Sequence, residues 1–365
     1  MFYSRIHMNG SGFTNQIMSF ILSIIFAVNN KHPIVVVDNF SNDNVKSSFT
    51  PISQIINLNK LNDFLLQKYN IIVVDKYCVD NWRLLSVHYG SDACKFDITK
   101  EIKDSCLFEN RLFINKYMYF NRIKGDPIYG KEKNIYLKYE ITDTLTKKAF
   151  TVEEVYPEEL DRHVVIDIQN AEYQFDFVNC EFMYTRTNFF NIFEDILLKI
   201  RYTNEFENLA MKTITNMGIQ NKVNVIHLRV ENDAIKHWSS MNNMNCVDFQ
   251  NAIEAKYIAL IQKYMNKNDE IIILSSSSVN GVIDFLIQNG YKIKISEKYF
   301  EYREKNAIVD LLVSRVCNNI FMGSIHNETK NGSTFSFYIS KIVDKTVKKI
   351  GIDIDNIKNE ECVFY

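Results

Sequence analysis

Pro33-Ile34-Val35-Val36-Val37-Asp38 decides the fold class. Four β-branched residues in unbroken succession, closed by an acid, read as a strand buried on both faces, because a half-solvated strand would alternate. Asn70-Ile71-Ile72-Val73-Val74-Asp75 repeats the pattern after a helical stretch around Ile52 to Tyr69. Upstream, Phe2 to Met8 alternates as a strand does, and Asn9-Gly10-Ser11-Gly12 follows as a tight turn. Phe13 to Asn29 then carries Phe13, Ile17, Phe20, Ile21, Ile24, Ile25 and Val28 along one helical stripe. Met18, Leu22 and Phe26 lie off that stripe, so the helix is expected to be covered on several sides. Strand, helix, strand, helix, strand is a Rossmann-like half.

A second half repeats the alternation. Strands are expected at Lys222 to Val230, Glu270 to Leu274, Tyr291 to Ile295 and Asn319 to Met322. Helices are expected at Val247 to Met265, Gly281 to Gln288, Ala307 to Cys317 and Ser333 to Val343. Between the halves, residues 76 to about 185 are less regular, with a Gly125-Asp126-Pro127 turn and strands at Asn134 to Tyr139 and His163 to Ile168. Phe189 to Met217 reads as helical, broken near Tyr202-Thr203-Asn204. The chain is therefore predicted to be α/β, with two Rossmann-like doubly wound domains facing a cleft. The predicted boundaries are an N-terminal Rossmann-like domain with insertions (1–187), a bridging helical region (188–219), a C-terminal Rossmann-like domain (220–345) and a tail (346–365). Ligands in such sheets sit at the carboxyl ends of strands, so chemistry-bearing motifs belong just after strands.

Composition narrows the classes. Of 365 residues, 46% are hydrophobic and 13% aromatic, which supports full cores and argues against disorder. A formal charge of -2 and a pI near 6.4 give no electrostatic reason for a nucleic-acid or anionic-membrane partner. The seven cysteines (Cys78, Cys94, Cys106, Cys180, Cys246, Cys317, Cys362) show no C-x-x-C spacing. Zinc and a disulfide scaffold are thus disfavoured, and a reducing compartment is the simpler reading. Ile17 to Val28 is the longest apolar run; a spanning helix needs roughly 20 residues. With no basic leader either, the sequence predicts a buried helix, no transmembrane segment and a cytoplasmic location.

Three motifs follow strands. In Asn9-Gly10-Ser11-Gly12-Phe13-Thr14-Asn15-Gln16, glycines permit close approach of the backbone, and the helix N-terminus faces an anionic or polar group. An ordinary strand-to-helix turn explains this loop equally well. In Ile226-His227-Leu228-Arg229-Val230-Glu231-Asn232-Asp233, His227 and Arg229 share a strand face, and an Arg fork suits a diphosphate. A structural Arg–carboxylate pair is the bland alternative. The third motif combines Asp310 with Gly323-Ser324 and Asn331-Gly332-Ser333-Thr334-Phe335-Ser336. Ser333 or Thr334 alone reads as a plain N-cap, and Phe335 alone as a core aromatic.

The order of these elements resembles the fucosyltransferase superfamily, which includes the protein O-fucosyltransferases and the α1,2- and α1,6-fucosyltransferases. Gly10 to Gln16 is similar to their Gly-rich Asn-Gln loop, with Thr14 where a glycine is usual. His227-Leu228-Arg229 is similar to the first donor-site motif, and Ser333-Thr334-Phe335-Ser336 to the last. The resemblance implies a GT-B fold and an inverting, metal-independent transfer from GDP-β-L-fucose, with no cofactor, to a glycan or protein hydroxyl. It implies that Arg229 holds the β-phosphate with help from Ser333 and Thr334. Asp310 would accept from guanine N–H groups, Phe335 would pack near the base, and Asn15 would sit across the cleft. Gly10, Gly12 and His227 complete the expected donor site. Candidates for a base are Glu231, Asp233, His237 and Asp38, with Asp233 and His237 ranked first.

Other readings stay open at this stage. The donor could be another nucleotide-activated sugar, or the protein could bind glycan or a partner without catalysis. Asp353-Ile354-Asp355 matches the Asp-x-Asp of metal-dependent transferases, but it lies in the predicted tail and reads as chance. Trp82 and Trp238 could stack on sugars and are more often core. His7, beside the Gly loop, and Ser275 to Ser278 could edge the cleft.

Overall fold

The computed structural model describes residues 3–6, 12–37, 40–42, 48–75, 81–108, 111–142, 149–160, 163–166, 173–175, 187–220, 222–275, 280–326, 330–357 and 363–364. The chain begins with β1 (Tyr3–Ile6), α1 (Phe13–Asn29), β2 (Ile34–Val37) and a short hairpin of β3 (Phe40–Ser41) and β4 (Phe49–Thr50). Next come α2 (Ile52–Ile55), α3 (Leu58–Tyr69) and β5 (Ile72–Asp75). The predicted helix over 52–69 is thus split. Asn57 caps α3 by accepting the Lys60 amide, and Asn70 ends it in the left-handed region.

The stretch read as less regular is largely antiparallel. It holds β6 (Asn81–Ser91), β7 (Cys94–Asp97), α4 (Thr99–Cys106), β8 (Leu107–Phe108), β9 (Arg111–Ile114) and α5 (Asn121–Lys124). It continues with β10 (Asn134–Thr142), β11 (Ala149–Pro157) and β12 (Val164–Ile166), and β10 and β12 stand where two of its strands are expected. Strands β11, β10, β6 and β7 form one sheet, and β12, β9 and β8 another. Then β13 (Tyr173–Phe175) returns to pair in parallel with β1, completing the sheet β13-β1-β2-β5.

The double burial predicted for β2 and β5 is visible in the core. Val35, Val37 and Val73 face a central cluster shared with α1, while Ile34, Val36, Ile72 and Val74 face a cluster built from the antiparallel sheets. Helix α1 is buried around its circumference and packs against α6 (Thr187–Lys199), α11 (Arg303–Val313) and α12 (Thr334–Ile342). After α6, the chain breaks at Ile200–Thr203 and resumes in α7 (Asn204–Met217), as the sequence predicts.

The second half runs β14 (Val223–His227), α8 (Asn232–Met241), α9 (Cys246–Tyr264), β15 (Glu270–Leu274), α10 (Gly281–Gln288), β16 (Lys292–Ile295), α11, β17 (Ile320–Gly323), α12, β18 (Lys348–Gly351) and β19 (Val363–Phe364). Its sheet order is β16-β15-β14-β17-β18-β19, parallel except for the last pair. Val225, Ile272 and Phe321 point into the central cluster, and Ile226, Ile273 and Met322 into a second cluster on the other face.

Two expectations need correction. The strand expected to reach Val230 ends at His227; the Leu228 amide makes a last bond to Leu274, and α8, which the pattern did not predict, starts at Asn232 just after Glu231. Within the expected tail, residues 348–351 and 363–364 instead extend the sheet, β18 pairing in parallel with β17 and β19 antiparallel with β18. Among the described residues, no helix is long and apolar enough to cross a membrane.

Candidate functional site

A cavity of about 840 Å³ opens where the two halves face each other. Its walls include Gly12, Phe13, Thr14 and Asn15 from the first half, and Arg229, Asp310 and Thr334 from the second. The volume is within the range of small-ligand sites. The long central cluster holds the halves together beneath it. Phe13 is its key, with ring neighbours Phe40 at 6.1 Å, Tyr202 at 6.0 Å, Phe335 at 6.4 Å and Tyr338 at 6.3 Å.

Two helix N-termini meet at this cavity. Thr334, the first residue of α12, donates its hydroxyl to Asn15 Oδ1 in the first turn of α1 at 2.7 Å. Ser333 caps α12, accepting the Ser336 amide at 3.4 Å, while the Phe337 amide goes to the Ser333 carbonyl. The amides of Thr334 and Phe335 have no acceptor among the described residues, as expected of a helix start left open to a ligand. The α1 end differs. The Phe13 amide donates to the carboxylate of Glu304, a residue of α11 that is 3% exposed.

Gly12 is not where glycine is needed. Its φ of -56° suits any residue, and among the described residues an added Cβ would meet only Glu304 Oε2, at 3.9 Å. Gly332 is needed: a Cβ there would lie 2.6 Å from the His326 nitrogen and 2.7 Å from the Ser324 oxygen. Gly323 likewise leaves room for Ser336 Oγ, 2.6 Å from its virtual Cβ. Gly10, with His7 and Asp38, lies outside the described residues. Gln16 of the same loop is internal, its amide making reciprocal bonds with the Ser41 backbone at 2.9 and 2.8 Å.

His227 and Arg229 part company because the strand ends between them. His227 is buried, its Nδ1 lies 2.6 Å from Ser336 Oγ, and its ring meets Phe335 edge-on at 4.9 Å. Burial pushes its pKa down to about 3, with Arg229, Arg303 and Lys298 adding to the effect against Glu231. Arg229 reaches the cavity and is bound by two carboxylates, Glu231 Oε2 at 3.0 Å and Asp233 Oδ2 at 2.8 Å. Arg303 lies 3.6 Å from the same Asp233 oxygen. Burial alone would raise the Asp233 pKa, but Arg229 and Arg303 outweigh it and hold the carboxyl below its usual range. His237, four residues on, lies on the same face of α8 and also lines the cavity.

At another wall, Asp310 Oδ2 accepts from Lys298 at 2.8 Å, while buried Oδ1 has no partner among the described residues. Such an orphan acceptor is costly unless something completes it. Asp353 and Asp355, read as chance, brace the loop before α12. Lys330 bonds Asp353, and Asp355 accepts from the Asn331 amide at 2.9 Å and its side chain at 2.8 Å. No group of three His, Cys, Asp or Glu among the described residues is placed to hold a metal ion.

Trp82 and Trp238 are core residues, at 9% and 5% exposure, though Trp238 also borders the cavity. Ser275 borders it too, whereas 276–279 lie outside the described residues. Glu304, Arg303 and Lys298 carry no sequence signal. An acid in a helix's first turn satisfies its own helix, and only tertiary packing brings Glu304 to α1.

No protein-family profile matches the sequence, and no curated protein matches it either. Among solved structures, the fold is similar to that of POFUT1 in complex with GDP-fucose, at 13% identity and a TM-score of 0.48, over 94% of this chain and 95% of that one. It is also similar to the fucosyltransferase NodZ from Bradyrhizobium, at 10% identity and a TM-score of 0.48, over 100% of this chain and 98% of that one.

Proposed function

We propose that this protein is a glycosyltransferase that moves a sugar from a nucleoside diphosphate to a hydroxyl of a glycan or protein acceptor. The observation that carries the reading is the meeting of two helix N-termini through Thr334 and Asn15, on a cavity that Arg229 also enters. Converging helix ends and a guanidinium form a receptor for a diphosphate. The motifs at Gly10 to Gln16, His227 to Arg229 and Ser333 to Ser336 make GDP-β-L-fucose the first donor to try.

In this reading the donor's phosphate replaces half-exposed Asp233 on Arg229, while Glu231 keeps the guanidinium in place. The Thr334 and Phe335 amides take further phosphate oxygens. The unpartnered Asp310 Oδ1 accepts an N–H of the base once Lys298 swings aside, since guanine presents adjacent N–H donors. The acceptor oxygen attacks the anomeric carbon from the face opposite the diphosphate, that C–O bond breaks, and configuration inverts. Charge gathering on the leaving group is met by Arg229 and the helix-end amides, so the scheme uses no metal and no cofactor. The acceptor's proton goes to a cavity base; His237 is the first candidate, because Arg229 and Arg303 outweigh burial at Asp233 and make its carboxylate a weaker base.

The test is thermal unfolding of the protein with GDP, GDP-fucose, GDP-mannose, UDP-sugars and dTDP-sugars. Ligand bound only by the native state raises apparent stability. Stabilisation by GDP and GDP-fucose that disappears in Arg229→Ala supports the reading. Response to UDP or dTDP compounds alone overturns the donor, and response to none removes the transferase.

A further inference from the structure

Among the described residues, two anion receptors of the cavity are filled by the protein's own carboxylates. Arg229 is occupied by Glu231 and Asp233, and the α1 end by Glu304. We propose that Glu304 is a built-in competitor of the donor, its carboxylate standing where an oxygen of the diphosphate binds, so that nucleotide enters by displacing it. This rests on the reading of the cavity as a nucleoside diphosphate site and adds how that site is regulated.

Three observations support the assignment. First, Glu304 comes from the other half of the molecule, some 291 residues from the amide it caps, and it lines the cavity itself. A carboxylate on a helix N-terminus occupies the place an anionic ligand would take. Second, Glu304 fills space at the α1 end: among the described residues, its Oε2 is the one heavy atom within 4 Å of a Cβ built on Gly12. Third, the neighbouring receptors lie within the same small region, since Asn15 of α1 holds Thr334 of α12. A diphosphate has oxygens enough to engage Arg229 and both helix ends together.

The charges facing Glu304 fit a displaceable anion. The α1 amide end, Arg303 on its own helix and Arg229 beyond β14 favour its ionised form, and Asp233 on α8 opposes it. Burial outweighs the favourable groups, and the Glu304 pKa is raised above its ordinary value. An ion at such a site is more readily released than one held by a dedicated cation.

The test is calorimetric binding of GDP and of inorganic pyrophosphate to wild type, Glu304→Gln and Glu304→Ala. The Gln variant keeps an acceptor for the Phe13 amide and the shape of the side chain, so it preserves the fold if Ala does not. Both probes are expected to bind the Gln variant more tightly than wild type by roughly three- to thirtyfold, the worth of a carboxylate at a helix N-terminus. Tighter pyrophosphate with no GDP binding by any form would uphold the competitor and overturn the nucleotide reading. GDP and pyrophosphate bound equally or more weakly by the Gln variant would overturn the competitor while leaving the nucleotide site standing.

Discussion

Thr334 Oγ1 donates to Asn15 Oδ1 at 2.7 Å, joining the first turn of α12 to the first turn of α1 across 319 residues of sequence. The bond aligns two helix ends on one cavity, and the aromatic cluster around Phe13 fixes the angle at which they meet. Thr334→Val and Asn15→Ala should each cost about 0.5–1.5 kcal/mol of stability. In a double-mutant cycle followed by chemical denaturation, the double variant should cost less than the sum. Strict additivity would mean that the two side chains do not act as a pair.

The two described glycines at the ends of the cavity, Gly332 and Gly12, differ in what they allow. Gly332→Ala should destabilise by about 1–3 kcal/mol, since its Cβ meets backbone atoms of 324–326 that cannot yield. Gly12→Ala should stay within about 0.5 kcal/mol. Urea midpoints of the two variants decide the matter, and equal midpoints would contradict the contrast.

Asp355 acts at a distance from any ligand. By holding the Asn331 amide and side chain, it positions the turn that delivers Ser333 and Thr334 to the cavity. Asp355→Ala is expected to weaken GDP binding about fivefold, or about 1 kcal/mol, and Asp355→Asn less. Unchanged binding in both would reduce Asp355 to a surface residue.

His227 predicts an acid limb in stability. Its folded pKa of about 3 is below the ordinary 6.5, so the native state excludes a proton that the unfolded chain takes up. The contribution is complete above pH 6.5 and is lost as pH falls from there toward 3. His227→Asn, which retains a partner for Ser336, should show a shallower fall in melting temperature between pH 6.5 and 4. Parallel curves for variant and wild type would place the acid sensitivity elsewhere.

By itself, the sequence determined the elements whose residues answer to local rules. Val35 and Val36 had to belong to a doubly buried strand, and α1, with apolar residues all round, had to lie inside. The two parallel units, Arg229 just after a strand and Thr334 at a helix start were legible for the same reason, whereas Asp310 lies inside α11. The antiparallel sheets of 81–157 were not, although β10 and β11 alternate. Their pairing partners are distant in sequence, and local propensity does not choose between them. Tertiary structure alone decided that α8 begins at Asn232, that Asp355 steadies Asn331, and that Glu304 rests on the Phe13 amide. Hydrophobic period is a property of one segment, whereas a hydrogen bond between side chains of different elements exists only once packing has set their distance.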